Sequence, residues 1–250
     1  SGLAFSFGMS IKAQAGGDLM NQATFVGVHR RHLFSATGFL DSPGRSSNRL
    51  VSTIDFGPTV LSLAGLSVPA HVQGVPFLGA ALGKSREYVF GARDRVDEAF
   101  DLSRSVRNGS YLYIRNFMPH LSWMQPEAYS DQSDLRRELK RLAAEGKLNA
   151  DQLTYAGPRK PLEELYNTDA DPHQIHNLAE TPEHKALLGR MRLQLREWIF
   201  STRDAGFLTE PQMWQRIGKN MTPLELARDD RRYPLARLLD AADLVGRPEA

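Results

Sequence analysis

Cysteine is absent from the 250 residues, which excludes disulfides, thiolate metal sites and cysteine nucleophiles. No run reaches the roughly 18 apolar residues that a membrane-spanning helix needs. The opening "SGLAFSFGMSIK" lacks the basic region and long apolar stretch of a secretory leader, so no membrane association is expected. The chain opens abruptly, inside what reads as a short strand. Charge of one sign is also scarce: 31 Lys and Arg against 29 Asp and Glu leave a formal +2, so charge implies no nucleic-acid partner. No internal repeat and no G-x-S-x-G nucleophile elbow occurs. What is present is a 41% hydrophobic composition, enough to build a core in one large domain or two smaller ones.

Residues 1–49 show no sustained period of two or 3.6, and little order is expected there. At "RLVSTIDFGPTVLSLAGLSVP" the signals sharpen. Ser52 and Asp55 have capping-box spacing, Pro58 suits a first helical turn and Gly65 the position after a helix end. This predicts a helix over 57–65 that buries Val60, Leu61 and Ala64. Strands are expected at 87–93, 101–107 and 110–117, the last two joined by an Asn108-Gly109 hairpin turn. Alternation puts Tyr111, Tyr113 and Arg115 on one face and Leu112 with Ile114 on the other, the apolar pair facing the core. Residues 118–132 read as a long irregular loop.

From Ser133 a helix is expected, with Leu135, Leu139, Leu142 and Ala143 on one stripe and Gly146 as its stop. "KPLEELYN" (160–167) reads as a returning strand. Thr181-Pro182-Glu183 opens a long helix that buries Leu187, Leu188, Met191, Leu195, Trp198 and Ile199 and runs to Gly206. Thr209 with Gln212, and Thr222 with Glu225, have capping-box spacing, and Leu235, Leu238, Leu239 and Ala242 align in a last helix.

Two stretches invite chemistry. "LYNTDADPHQIHNLA" (165–179) concentrates carboxylates and histidines, but a calcium loop of the EF-hand kind needs a central Gly and a terminal Glu. His173 and His176 lack a third zinc ligand at a standard spacing. An Asx-type turn, with side chains bonding the local backbone and Pro172 fixing φ, accounts for the same residues. The other is 87–120, where Arg93, Asp94, Arg95, Asp97, Arg104, Arg107, Arg115 and His120 crowd around the expected hairpin. Guanidinium forks match sulfate or phosphate oxygens; cross-strand ion pairing on a solvated sheet face is the alternative. "DSPGRSS" (41–47) reads as a turn-rich loop, and "RRELKRLAAEGK" as a solvated amphipathic face.

Three segments in order carry a family resemblance: "LVSTIDFGPTVLSLAGLSVPAHVQGVPFLG", then "EYVFGARDR" with "SVRNGSYLYIRNF", then "EELYNTDADPHQIHNLAE". Together they resemble the C-terminal portion of the sulfatase family, within the alkaline phosphatase superfamily. The resemblance implies an α/β to α+β fold. Residues 1–85 would be a partial, divergent end of the family's α/β domain. Residues 86–204 would form its C-terminal subdomain, an antiparallel sheet of about four strands with a long packing helix, and 205–250 a helical extension.

The activity implied is hydrolysis of sulfate esters on a small molecule or glycan, by a formylglycine hydrate that attacks sulfur while a divalent metal, usually calcium, neutralises the sulfate oxygens. The Cys/Ser-x-Pro-Ser-Arg motif that supplies the nucleophile is missing, since Ser42-Pro43-Gly44-Arg45 has the wrong spacing. Met9 and Ser10 stand where an Asp and a His or Asn metal ligand would fall, so no catalytic or metal residue is assigned. A C-terminal sheet in this family contributes substrate contacts, which makes Arg93, Arg95 and His120 the candidates to face the sulfate ester. Two other classes remain open: a non-catalytic interaction module, and a phosphoesterase or phosphotransferase of the same superfamily. Residues 10–45 could be a divergent insertion or a frameshifted segment. A half-domain would leave apolar surface exposed around the helix at 57–65.

Overall fold

The computed structural model describes residues 47–245. The expectations for 1–46, including the opening strand and the lack of order, lie outside the described residues. A 3-10 turn over Thr53–Asp55 leads into α1 (Phe56–Leu63). The Ser52–Asp55 capping box forms, and Gly65 follows the helix at φ 70°. The buried face of α1 differs from the one expected. Val60 is 61% exposed and Ala64 is exposed, whereas Pro58, Thr59 and Ser62 are buried. The reason is a polar strap: the Thr59 hydroxyl accepts the N–H of Phe77, and the Ser62 hydroxyl accepts that of Ala81. Asp55, also buried, accepts from Val75 N–H and from the Arg86 guanidinium. Backbone donors of the 73–82 loop thus select hydroxyls over aliphatic side chains on that side of the helix.

Four strands follow, β1 (Val89–Val96), β2 (Ala99–Arg107), β3 (Tyr111–Asn116) and β4 (Glu163–Asn167), in one antiparallel sheet of order β1-β2-β3-β4. The Asn108 side chain closes the β2–β3 turn by accepting from the N–H groups of Ser110 and Tyr111. A bulge shifts the β1–β2 register between Arg93 and Arg95, and Asp97 turns the hairpin tip at φ 47°. After β3, an irregular loop with a 3-10 turn at Ser130–Gln132 leads to α2 (Asp134–Ala144). The leucine stripe of α2 lies on the solvated face expected of this helix: no α2 residue is buried, and Leu135 is 69% exposed. A short α3 (Ala150–Ala156), capped by Asn149, has no counterpart among the elements expected from sequence.

The long helix is α4 (Lys185–Thr202), which buries Leu188, Met191, Leu195 and Ile199, with Leu187 and Trp198 packed at the margin. It stops at Arg203 in the left-handed conformation, short of the expected Gly206. Gly206 has another duty, because a Cβ there would fall 1.9 Å from the Arg104 guanidinium. Three short helices complete the chain, α5 (Glu210–Ile217), α6 (Pro223–Arg228) and α7 (Leu235–Leu244), with the expected capping boxes on the first two.

Both faces of the sheet are covered. On one, Val106, Tyr113 and Leu165 join α4 and the buried Leu208, Ile217, Leu226, Leu235 and Leu239 in the main core. Leu112 and Ile114, expected to face that core, lie on the opposite face in a smaller cluster with Trp123 and Tyr166. The expected alternation holds, but the aromatic residue rather than the aliphatic pair turns toward the helix. The irregular 118–132 loop supplies Trp123, which seals the second face. The architecture is α+β: a four-stranded antiparallel sheet with several helices, one of them long.

Candidate functional site

Alternation along β2 sends Asp101, Ser103, Ser105 and Arg107 to the Trp123 side of the sheet, all buried. That face holds a polar network instead of a purely apolar one. The Lys160 ammonium donates to both oxygens of Asp101 at 2.5 Å, with both side chains fully buried. Burial lowers the Lys160 pKa, and Asp101 opposes that shift only in part. Arg93, 8% exposed, reaches Asp101 at 3.5 Å from its Nε. The Trp123 ring lies 5.4 Å from the Arg93 guanidinium carbon and 4.6 Å from Lys160 Nζ, so one indole covers two cations. Arg93 Nε and Nη1 make no hydrogen bond.

Beside them, Glu164 accepts from Asn116 Nδ2 and from the Tyr166 hydroxyl, each at 2.6 Å, and burial raises its pKa. Its neighbour Glu163 points to the other face. Burial pushes its pKa up, but hydrogen bonds from Arg192 and Tyr113 outweigh that and leave it lowered. On this side Arg104, 1% exposed, donates through Nε and Nη2 to Asp204 at 2.5 and 3.0 Å, and through Nη1 to Asp94 at 2.7 Å. A cleft of about 330 Å³ opens between β3, α4 and α7, but its arginines are engaged: Arg115 and Arg196 with Asp243, and Arg192 with Glu163.

The arginine-rich stretch therefore divides. Arg93 and Arg107 lie on one face of the sheet, and Arg104 and Arg115 on the other; all four are buried. Neither a shared oxyanion cradle nor a solvated row of ion pairs describes them. Arg95 is exposed beyond the bulge and pairs with Glu210 of α5 at 3.2 Å. His120 is exposed in a turn whose Pro119 carbonyl accepts the backbone N–H of Lys160. Of the three candidate contacts, Arg93 is buried against Trp123, Arg95 pairs with Glu210 of α5, and His120 stands exposed in its own turn. The buried Lys160, Asp101 and Trp123 were missed. Asp101, at the start of the expected 101–107 strand, was the available signal, because buried charge requires a partner.

In "LYNTDADPHQIHNLA" the polar side chains bond the backbone. Asn167 accepts from the N–H groups of Asp169 and Ala170, Asp171 from those of Ile175 and His176, and Asn177 from those of Leu165 and Ala179. Among the described residues no group of three His, Asp or Glu side chains is placed to hold a metal ion.

No family model matches the chain. Among curated proteins it is 36% identical over 181 residues to an ulvan-active sulfatase of Formosa agariphila, an alignment covering 72% of this chain and 30% of the relative. It is 27% identical over 154 residues to an N-acetylglucosamine-6-sulfatase of Bos taurus, covering 61% and 26% respectively. Among solved structures, a 2-O GAG sulfatase aligns with a TM-score of 0.43 and 20% identity, over 77% of this chain and 36% of that one. The chain thus spans less than a third of the length of these curated relatives, and it is a sulfatase-family sequence that corresponds to their C-terminal portion.

Proposed function

We infer that this chain is the C-terminal part of a hydrolase of glycan sulfate esters, and that it performs no catalysis on its own. The observation that carries the reading is the 36% identity over 181 residues to an ulvan-active sulfatase. The name of the bovine relative likewise describes a sulfated sugar substrate. The family implies a divalent metal, usually calcium. The described residues offer no group of side chains that fits one, and in this reading its ligands lie outside them. The division into 1–85, 86–204 and 205–250 accompanies this proposal. In it the C-terminal helices are joined to the sheet subdomain by a common core.

In the intact enzyme the exposed His120 is the candidate that a sulfated sugar could reach without rearrangement; Arg95, also exposed, is held by Glu210 and would have to leave it first. Arg93 would become available only if Trp123 moved aside. The segment 47–85 fits a role as a packing surface for the rest of the protein, since Ile54, Val60, Leu66 and Leu82 are each more than half exposed. A docking role of that kind is compatible with membership of a larger sulfatase.

Reading the coding DNA upstream of residue 1, and in all three frames across residues 10–45, tests the proposal. A Cys/Ser-x-Pro-Ser-Arg and an Asp-His-Gly or Asp-Asn-Gly are expected there; a long open frame with neither would overturn it. Hydrolysis of 4-nitrophenyl phosphate but not of the corresponding sulfate by the longer protein would favour the phosphoesterase class.

A further inference from the structure

The β1–β2 hairpin tip and the start of α5 enclose an open groove of about 410 Å³. Phe100, Pro211 and Trp214 give it an apolar lining, and the Trp214 indole is 54% exposed. Among the described residues, Asp97, Glu98 and Glu210 stand around it, with Arg95 as the one cation of its lining. Three negative charges against one positive leave a local −2. Arg95 pairs with Glu210, so the uncompensated charge falls on Asp97 and Glu98, both exposed. The chain as a whole is +2, and this negative potential is therefore a property of the groove and not of the protein's overall charge.

We propose that this groove binds the lysine or arginine side chain of an extended basic peptide segment. The cation sits over the face of Trp214 within reach of Asp97 and Glu98, while its methylene stem lies along Phe100 and Pro211. A sulfated sugar is disfavoured at the same place by repulsion from the two carboxylates. Arg95, a candidate sulfate-ester contact, lines this groove but is held by Glu210, so the proposal does not rest on the sulfate-ester reading.

Isothermal titration of acetylated, amidated tetralysine into the 250-residue chain at low ionic strength tests this, with tetraglutamate and cellotetraose in parallel. Saturable binding of tetralysine alone is expected, weakening as salt is added. Trp214→Ala should weaken it about tenfold, the scale of a partly desolvated cation–π contact. The double variant Asp97→Asn, Glu98→Gln should weaken it by a similar factor. Asn is accommodated at the left-handed φ of residue 97. The amide oxygen that Glu98→Gln introduces can still accept the Ala128 N–H that Glu98 accepts at 2.5 Å, so both changes preserve the local fold. Unchanged circular dichroism would confirm that. No saturable tetralysine binding, or binding that Trp214→Ala leaves intact, would overturn the proposal. Binding of cellotetraose in place of tetralysine would overturn it in favour of a sugar platform.

Discussion

Replacing Arg104 with Met should destabilise the protein by about 3 kcal/mol and loosen the C-terminal helices before the sheet. The guanidinium is buried on the main-core face, where it holds Asp204 through two N–H groups and Asp94 through a third. Asp204 belongs to the turn after α4 and receives the Gly206 N–H, and its carbonyl accepts the Tyr233 hydroxyl that in turn accepts the Phe207 N–H. One cation thus ties the sheet to the segment from which α5, α6 and α7 depart. Breaking a buried pair by removing one partner costs about 3–5 kcal/mol because the remaining charge is left uncompensated. The lower end applies, since the Asp94 side chain is 47% exposed and can rehydrate. Urea unfolding of the 250-residue chain gives the total, and hydrogen exchange locates it: protection should fall first over 205–245. The double variant Arg104→Met, Asp204→Asn should recover part of the loss, because no unpaired charge then remains at the clamp's buried end. A loss below about 1 kcal/mol, or exchange that rises first in β3 and β4, would refute the reasoning.

Met191→Ala empties a fully buried position under the sheet and should cost about 2–5 kcal/mol in the same urea assay. Val60→Asp, at an exposed position on α1, should change stability by less than about 0.5 kcal/mol; a larger loss would show that α1 buries the face first expected. The adjacent glutamates of β4 should respond to pH with opposite signs. Glu163 has a lowered pKa, so its contribution is present above the ordinary glutamate range and lost as pH falls through its folded value. Glu164 has a raised pKa, so its contribution is present below that range and lost as pH rises through its folded value. Below about pH 4.5, where the Glu163 contribution is lost, Glu163→Gln should shed its disadvantage against the parent chain as pH falls; above about pH 4.5, where the Glu164 contribution is lost, Glu164→Gln should become progressively better than the parent as pH rises. Urea midpoints that moved together would contradict the assignment.

The elements declare themselves wherever local chemistry sets them. Asn108 at its turn, the capping boxes at Ser52, Thr209 and Thr222, and the leucine, methionine and isoleucine spacing of α4 all act within a few residues, and all appear as expected. Burial is less legible because it depends on what arrives from elsewhere. Leu112 and Tyr113 are both buried, and only the Trp123 loop on one side and α4 on the other give each its own core. The same holds for α1, where the choice of buried face follows N–H donors from 75–81 that no periodicity within the helix reveals. Arg93, Arg95 and His120 form a group only by nearness in sequence. The bulge after Arg93 and the sheet's two-sidedness separate the arginines, and the partners of Arg93, namely Asp101 and Trp123, come from the next strand and from the 118–132 loop.

Sulfate release from 4-nitrophenyl sulfate tests the central claim most directly, measured for the purified 250-residue chain and for the same chain joined to its upstream coding sequence, both with calcium present. The account predicts saturable turnover by the longer protein and a rate no greater than the buffer blank for the 250 residues alone. Saturable turnover by the 250-residue chain would contradict it.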